Sequence, residues 1–212
     1  MIFGGVHNML EAIIHAVLLA LGLILPLGVQ NVFVFNQGAS QSRFRNALPA
    51  VITAGVCDTI LITLAVGGVS LILQQFLWLT NVLYAAGCLF LLYMAWTLWN
   101  SKAASSGESQ PMLPKRQMIF AASVSLLNPH AILDTVGVIG TSSLQYNGVE
   151  RWAFGLAAVS VSWIWFVGLA TAGRLVGRMD SEGKFGTVLN KISALIILGL
   201  ALYMAINFMN SM

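Results

Sequence analysis

Apolar runs and short polar interruptions alternate along nearly the whole chain. The runs fall near 13–35, 47–73, 76–99, 118–145, 153–173 and 189–208. Because about 20 residues of α-helix cross the ~30 Å hydrocarbon core of a bilayer, they predict six transmembrane helices. No Lys or Arg precedes the first run, and it continues without a small-residue cleavage pattern into LPLGVQNVFVF. It is therefore expected to be a span and not a cleaved signal peptide. One polar stretch is longer than the others, NSKAASSGESQPMLPKRQ at 100–117. Its Ser, Gly and Pro content marks a flexible connector. The chain thus divides into a three-helix unit at 1–100, a cytoplasmic linker at 101–117 and a second three-helix unit at 118–212. With an odd number of spans in each, the two units lie in opposite orientation. The predicted fold is an all-α integral membrane protein of two inverted three-helix repeats.

Composition supports the membrane assignment. Hydrophobic residues make up 58% of the 212 and charged residues 8%, with a mean hydropathy of +0.85. A soluble surface needs about 25% charged residues, so a soluble enzyme, a disordered chain and a nucleic-acid binder are excluded. Of the ten Lys and Arg, nine lie in or beside the first, third and fifth loops, and Arg151 alone falls on the other side. By the positive-inside rule those odd loops are cytoplasmic and both termini face outward. Trp78, Trp99 and Trp152 fall at helix ends, where an interfacial aromatic belt forms. Cys57 and Cys88 both lie in apolar runs and read as small hydrophobes, not as a disulfide framework.

The halves carry related fragments. LYMAWTLWNS (92–101) and LYMAINFMNS (202–211) agree at six of ten positions. The first span is interrupted at Pro26 and Gly28 and the fourth at Pro129, and five residues past each proline stands a polar residue, Asn31 or Asp134. Corresponding breaks in corresponding helices are the best sequence pointer to a transporter site. An ordinary proline kink would also interrupt a span.

Five of the seven acidic residues lie in loops or at helix ends; Asp58 and Asp134 lie within spans. A carboxylate at mid-membrane costs ~2.5–3.5 kcal/mol on insertion scales, which makes each a functional-site hypothesis. No Lys or Arg stands mid-span to pair with them. Protons, a metal ion or a cationic substrate must then neutralise them, unless they are protonated links between helices. In LLNPHAILDT (126–135), Asn128 suits an N-cap and Pro129 the first helical position. A half-helix starting there would offer free N–H groups to an anion, with His130 and Asp134 on one face. Pro26 and Gly28 can break the first span likewise, leaving Gln30 and Asn31 on the next turn. His130 could relay protons, bind zinc or link helices. With no His/Cys cluster in the chain, a metal is not expected. Neither a nucleophile motif, a phosphate loop nor a dinucleotide fingerprint occurs, so no cofactor and no enzymatic activity are expected. Trp163 and Trp165 could face a cation, but packing is the simpler reading.

On ILPLGVQNVFVFNQG (24–38), AGVCDTILI (54–62) and LLNPHAILDTVGVIG (126–140), the chain resembles the lysine exporter (LysE) family, specifically its exporters of lysine and arginine. The resemblance covers essentially the whole chain. It implies a six-helix carrier of the bacterial inner membrane, often dimeric, that expels basic amino acids using the membrane potential or proton gradient. An acid at the position of Asp134 is implied for basic substrates; neutral amino acid exporters of related type usually lack it. Leu-Pro-Leu-Gly stands here where related proteins often have Pro-Gly. The expected substrate site comprises Asp58 and Asp134 for the cationic groups. Gly28, Asn128 and the breaks at Pro26 and Pro129 would serve the carboxylate, with Gln30 and Asn31 as hydrogen-bonding partners and His130 for protons. The alternatives are a neutral amino acid or metabolite exporter of the same fold and a divalent-cation exporter, which needs more oxygen or sulfur ligands. A thiol-redox carrier needs a cysteine in each half, whereas both stand in the first.

Overall fold

The computed structural model describes residues 2–25, 28–69, 112–128, 131–132 and 134–179, with scattered helical positions within 89–99 and 191–209. Every element among the described residues is helical. Helix α1 (Ile2–Ile24) is followed by α2 (Val29–Ser40) and α3 (Leu48–Leu64). The α3 helix continues as a wider π turn over Ala65–Val69 with Gly68 at φ 107°. Beyond the linker come α4 (Pro114–Leu126), the π-helical segment α5 (Asp134–Gly140) and the long α6 (Gly148–Met179). Two helices among the described residues are long and apolar enough to cross a membrane, Leu48–Gly68 and Gly148–Arg178. A third arises if α1 and α2, bent by 78° at their junction, form one broken span. The expected third and sixth spans lie for the most part outside the described residues.

Helical structure among the described residues is interrupted on either side of both expected breaks. Residues 25–28 separate α1 from α2, and Leu127 and Asn128 end α4 before helix resumes at Ala131. Four boundaries differ from expectation. Helix α1 begins at Ile2 and not near 13, because the polar residues Asn8 and Glu11 occupy helical positions. Helix α4 begins at Pro114, inside the expected linker. Proline at a first helical position has its φ preset and loses no hydrogen bond there. Helix α6 runs beyond 153–173 at both ends, from Gly148 with φ 53° to Met179.

These helices are apolar on their outward faces, the reverse of a soluble amphipathic helix. Ile52, Val56, Ile60 and Leu64 form an exposed stripe on α3, and Trp152, Leu156 and Ile164 one on α6. Inward faces are small: Ala12, Ala16 and Ala20 of α1 are buried against Phe154 and Ala158 of α6 with Ile62, Val66 and Ile139. Small residues one turn apart let helices approach closely where lipid supplies no hydrophobic drive between them. Several helical hydroxyls return to the carbonyl four residues back, as in Thr53 to Pro49, Ser125 to Ala121 and Thr171 to Val167, and these need no water.

Helix α6 is the strut on which α1, α2 and α3 all pack. At one end of it, the Arg174 guanidinium donates to the Gln41 and Ser42 carbonyls at 3.0 and 2.8 Å. Fully buried Gln117 donates to the carbonyls of Asn46 and Met112 at 2.9 and 2.8 Å. At the other end, Tyr146 joins His15 Nδ1 at 2.9 Å, and both rings pack on Phe154. Burial, then the carboxylates of Glu11 and Glu150, push the Tyr146 phenol above its usual value.

Candidate functional site

Between these two ends lies a cavity of about 340 Å³, within the usual size range of small-ligand sites. Six predicted residues line it: Gly28, Gln30, Asn31, Asp58, Asn128 and Asp134. They come from α2, α3, the α4–α5 break and α5, so the two breaks and the two intramembrane acids converge on one space. No Lys, Arg or His is among the described residues lining it. Pro26, Pro129 and His130 lie outside the described residues.

Each polar group is positioned by local structure. Gly28 stands at the start of α2 in an extended conformation (φ −76°, ψ 171°), and no side chain caps the helix. A helix leaves its first N–H groups without intrahelical partners, and here they adjoin the cavity. Asn31 spans the break, its Nδ2 donating to the Ile24 carbonyl at 2.7 Å. Gln30 Nε2 donates to Asp58 Oδ1 at 3.0 Å, holding the carboxylate of α3 against the head of α2. In the second half, Ile132 N–H returns to the buried Asn128 carbonyl at 3.1 Å, where the new helical turn begins. Asp134 opens the π-helical α5 one turn on, and such bulges are frequent at functional sites.

Ser162 of α6, 4% exposed, was not expected at the site. It lines the cavity together with Asp58. Thr135, Ile139 and Phe166 also line it. A serine in an apolar span carries no burial cost that would single it out, since its own helix can accept its proton. Trp163 and Trp165 take the packing role. Trp163 lies over Gly55 and donates to Thr59 Oγ1 at 3.1 Å, and Trp165 joins the cluster around Val34 and Phe166. Cys57 is a buried free thiol; Cys88 is outside the described residues. Among the described residues, no three His, Cys, Asp or Glu side chains are grouped so as to hold a metal ion.

The chain is similar to known membrane transport proteins. The LysE type translocator family matches residues 9–208. The chain is 56% identical to the putative amino-acid transporter YisU of Bacillus subtilis (strain 168), over 93% of this chain and 90% of that protein. It is 31% identical to the arginine exporter protein ArgO of Pectobacterium carotovorum subsp. carotovorum (strain PC1), over 93% and 98%. With ArgO of Escherichia coli (strain K12) it shares 31%, over 88% and 90%. No solved structure matches the chain.

Proposed function

The chain belongs to the LysE type translocator family, and from that premise we propose that it is a secondary transporter exporting basic amino acids, arginine or lysine, from the cytoplasm. One observation carries the reading. Two carboxylates from different halves, Asp58 and Asp134, border a single cavity furnished with amides and lined by no described basic side chain. A basic amino acid brings two cationic groups and one carboxylate. Its cationic groups go to Asp58 and Asp134, which lowers the cost of keeping both ionised at mid-membrane. Its carboxylate goes to the uncapped start of α2 at Gly28, with Asn31 and Asn128 as side-chain donors and His130 as a proton relay. The names of the ArgO relatives support the same substrate class.

In this reading 1–100 and 118–212 are inverted repeats joined by the linker 101–117, the termini face outward, and the halves rock about the cavity to give alternating access. The carrier resides in the bacterial inner membrane as a homodimer. The test is counterflow of labelled arginine and lysine in proteoliposomes, wild type against Asp134→Asn, which keeps shape and removes charge. Saturable exchange that excess leucine or threonine does not compete away, and that Asp134→Asn abolishes, supports the proposal. Exchange of neutral amino acids undisturbed by the substitution overturns it and favours the family's neutral substrates.

A further inference from the structure

The segments Ala54–Ile62 of α3 and Ala158–Phe166 of α6, aligned at a separation of 104, share Ala and Ile at two of nine positions and a similar pattern of burial. Ala54 and Ala158 are both fully buried, and Ile60 and Ile164 are both exposed. Asp58 and Ser162 both line the cavity, as do Ile62 and Phe166. The contacts obey the same exchange. Ala54 lies in one apolar cluster with Phe166, and their counterparts Ala158 and Ile62 lie together in another. Rising numbers on α3 thus meet falling numbers on α6, so the helices are antiparallel. One couple touches its own counterpart, Thr59 with Trp163 at 3.1 Å. This self-paired contact marks a local two-fold relation between α3 and α6. Asp58 and Ser162, the neighbouring couple, both face the one cavity.

We propose that Ser162 is a specificity-determining residue of the cavity, the neutral member of an acid–hydroxyl couple with Asp58 that orients the carboxylate for a cationic substrate group. The inference rests on the reading under Proposed function. Gln30 Nε2 on Oδ1 holds the carboxylate from α2, and the Ser162 hydroxyl of α6 opens on the same cavity. The carboxylate's remaining lone pairs are directed to the cavity. A buried hydroxyl is a fixed donor, and a carboxylate that loses one is held less firmly. Without the hydroxyl the carboxylate turns away from the cavity, and recognition of charge weakens while recognition of shape persists. A second couple sits across the breaks, Asp134 and Asn31, each five residues past a proline and each lining the cavity. Both couples hold one acid and one neutral hydrogen-bonding group, and the acids come from different halves.

The test compares arginine with citrulline, a neutral molecule of nearly the same shape, in proteoliposome transport. Loss of a hydrogen bond to a charged group predicts that Ser162→Ala raises the arginine KM about tenfold. The citrulline KM should hold steady, and Ser162→Thr, which keeps the hydroxyl, should preserve the arginine value. Moving the acid across the couple, Asp58→Ser with Ser162→Asp, should recover arginine transport that Asp58→Ser alone abolishes. Recovery to within about tenfold of wild type is expected, since Gln30 no longer supports the carboxylate. The proposal is overturned if Ser162→Ala leaves both KM values unchanged or raises them equally, the latter marking a structural role. It is also overturned if the exchanged protein, present in full amount, is as inactive as Asp58→Ser. Should the exchanged protein not accumulate, the Ala and Thr variants decide alone. A wild type that does not discriminate arginine from citrulline would overturn the cation reading itself; a discriminating wild type with an unresponsive Ser162→Ala overturns only this inference.

Discussion

At the Arg174 end of α6, side chains reach across to backbone carbonyls. Arg174 donates to Gln41 and Ser42, Gln117 to Asn46 and Met112, and Gln41 to Met112 at 3.2 Å. Below them, backbones themselves come together. A Cβ added at Gly38 would run into the Ala170 carbonyl, and one at Gly173 or Gly177 into the Phe35 or Ala39 carbonyl. The Tyr146 end is built otherwise, from alanines of α1 on Phe154 and Ala158, with the His15–Tyr146 hydrogen bond linking α1 to the loop before α6. Apolar surfaces can slide and re-seat, whereas a guanidinium on two carbonyls has one good geometry. The contrast makes the Arg174 end the more heavily cross-linked of the two.

Variants can break this contrast, beginning where the effect is largest. Gly173→Val places a branched side chain against the Phe35 backbone, which cannot yield as a side chain could. It should cost about 3 kcal/mol or more, seen as a large fall in Tm of the detergent-solubilised protein. Arg174→Met keeps the apolar stem and removes both donors. It should cost about 2 kcal/mol by the same measurement, and proteolysis should show faster cutting near residues 41–46. Gln117→Leu removes the Gln117 donor from the Asn46 carbonyl and one of two donors from the Met112 carbonyl and should cost about 1 kcal/mol.

Tyr146→Phe at the opposite end should change Tm least, by well under 1 kcal/mol. Its interest lies in pH. The phenol sits above its usual value, so the folded protein holds that proton more tightly than the unfolded chain. The associated stability is complete below the ordinary tyrosine value near 10 and is lost as pH rises beyond it. Melting curves from pH 9 to 11 should therefore fall less steeply for Tyr146→Phe than for wild type. An equal slope would remove this link from the description of that end.

Much of the site was legible in the sequence because membrane burial makes polar residues expensive. Asp58 and Asp134 stand out against an apolar background by several kcal/mol each, and a proline or glycine in a span disturbs a known set of backbone bonds. Those cues led to six of the cavity's residues. Ser162 escaped because nothing in the sequence separates it from Ser160, whose hydroxyl returns to Leu156 at 2.8 Å on an exposed face. The start of α4 at Pro114 was hidden because PKRQ reads as polar linker. Only the tertiary partners of Gln117 explain why that glutamine is buried. The glycine seam is likewise a matter of which carbonyl each glycine meets, information that one helix alone does not contain.

That seam has a mechanical consequence. With no layer of side chains between them at Gly38, Gly173 and Gly177, α2 and α6 cannot roll on one another, and α2 is carried as a lever arm of α6. Its 12 residues span about 18 Å at 1.5 Å per residue. A tilt of about 5° at Ser40 then displaces Gly28 by about 1.5 Å, enough to make or break a hydrogen bond. A small motion at the tightly bound end is thus geared directly onto Gln30 and its grip on Asp58.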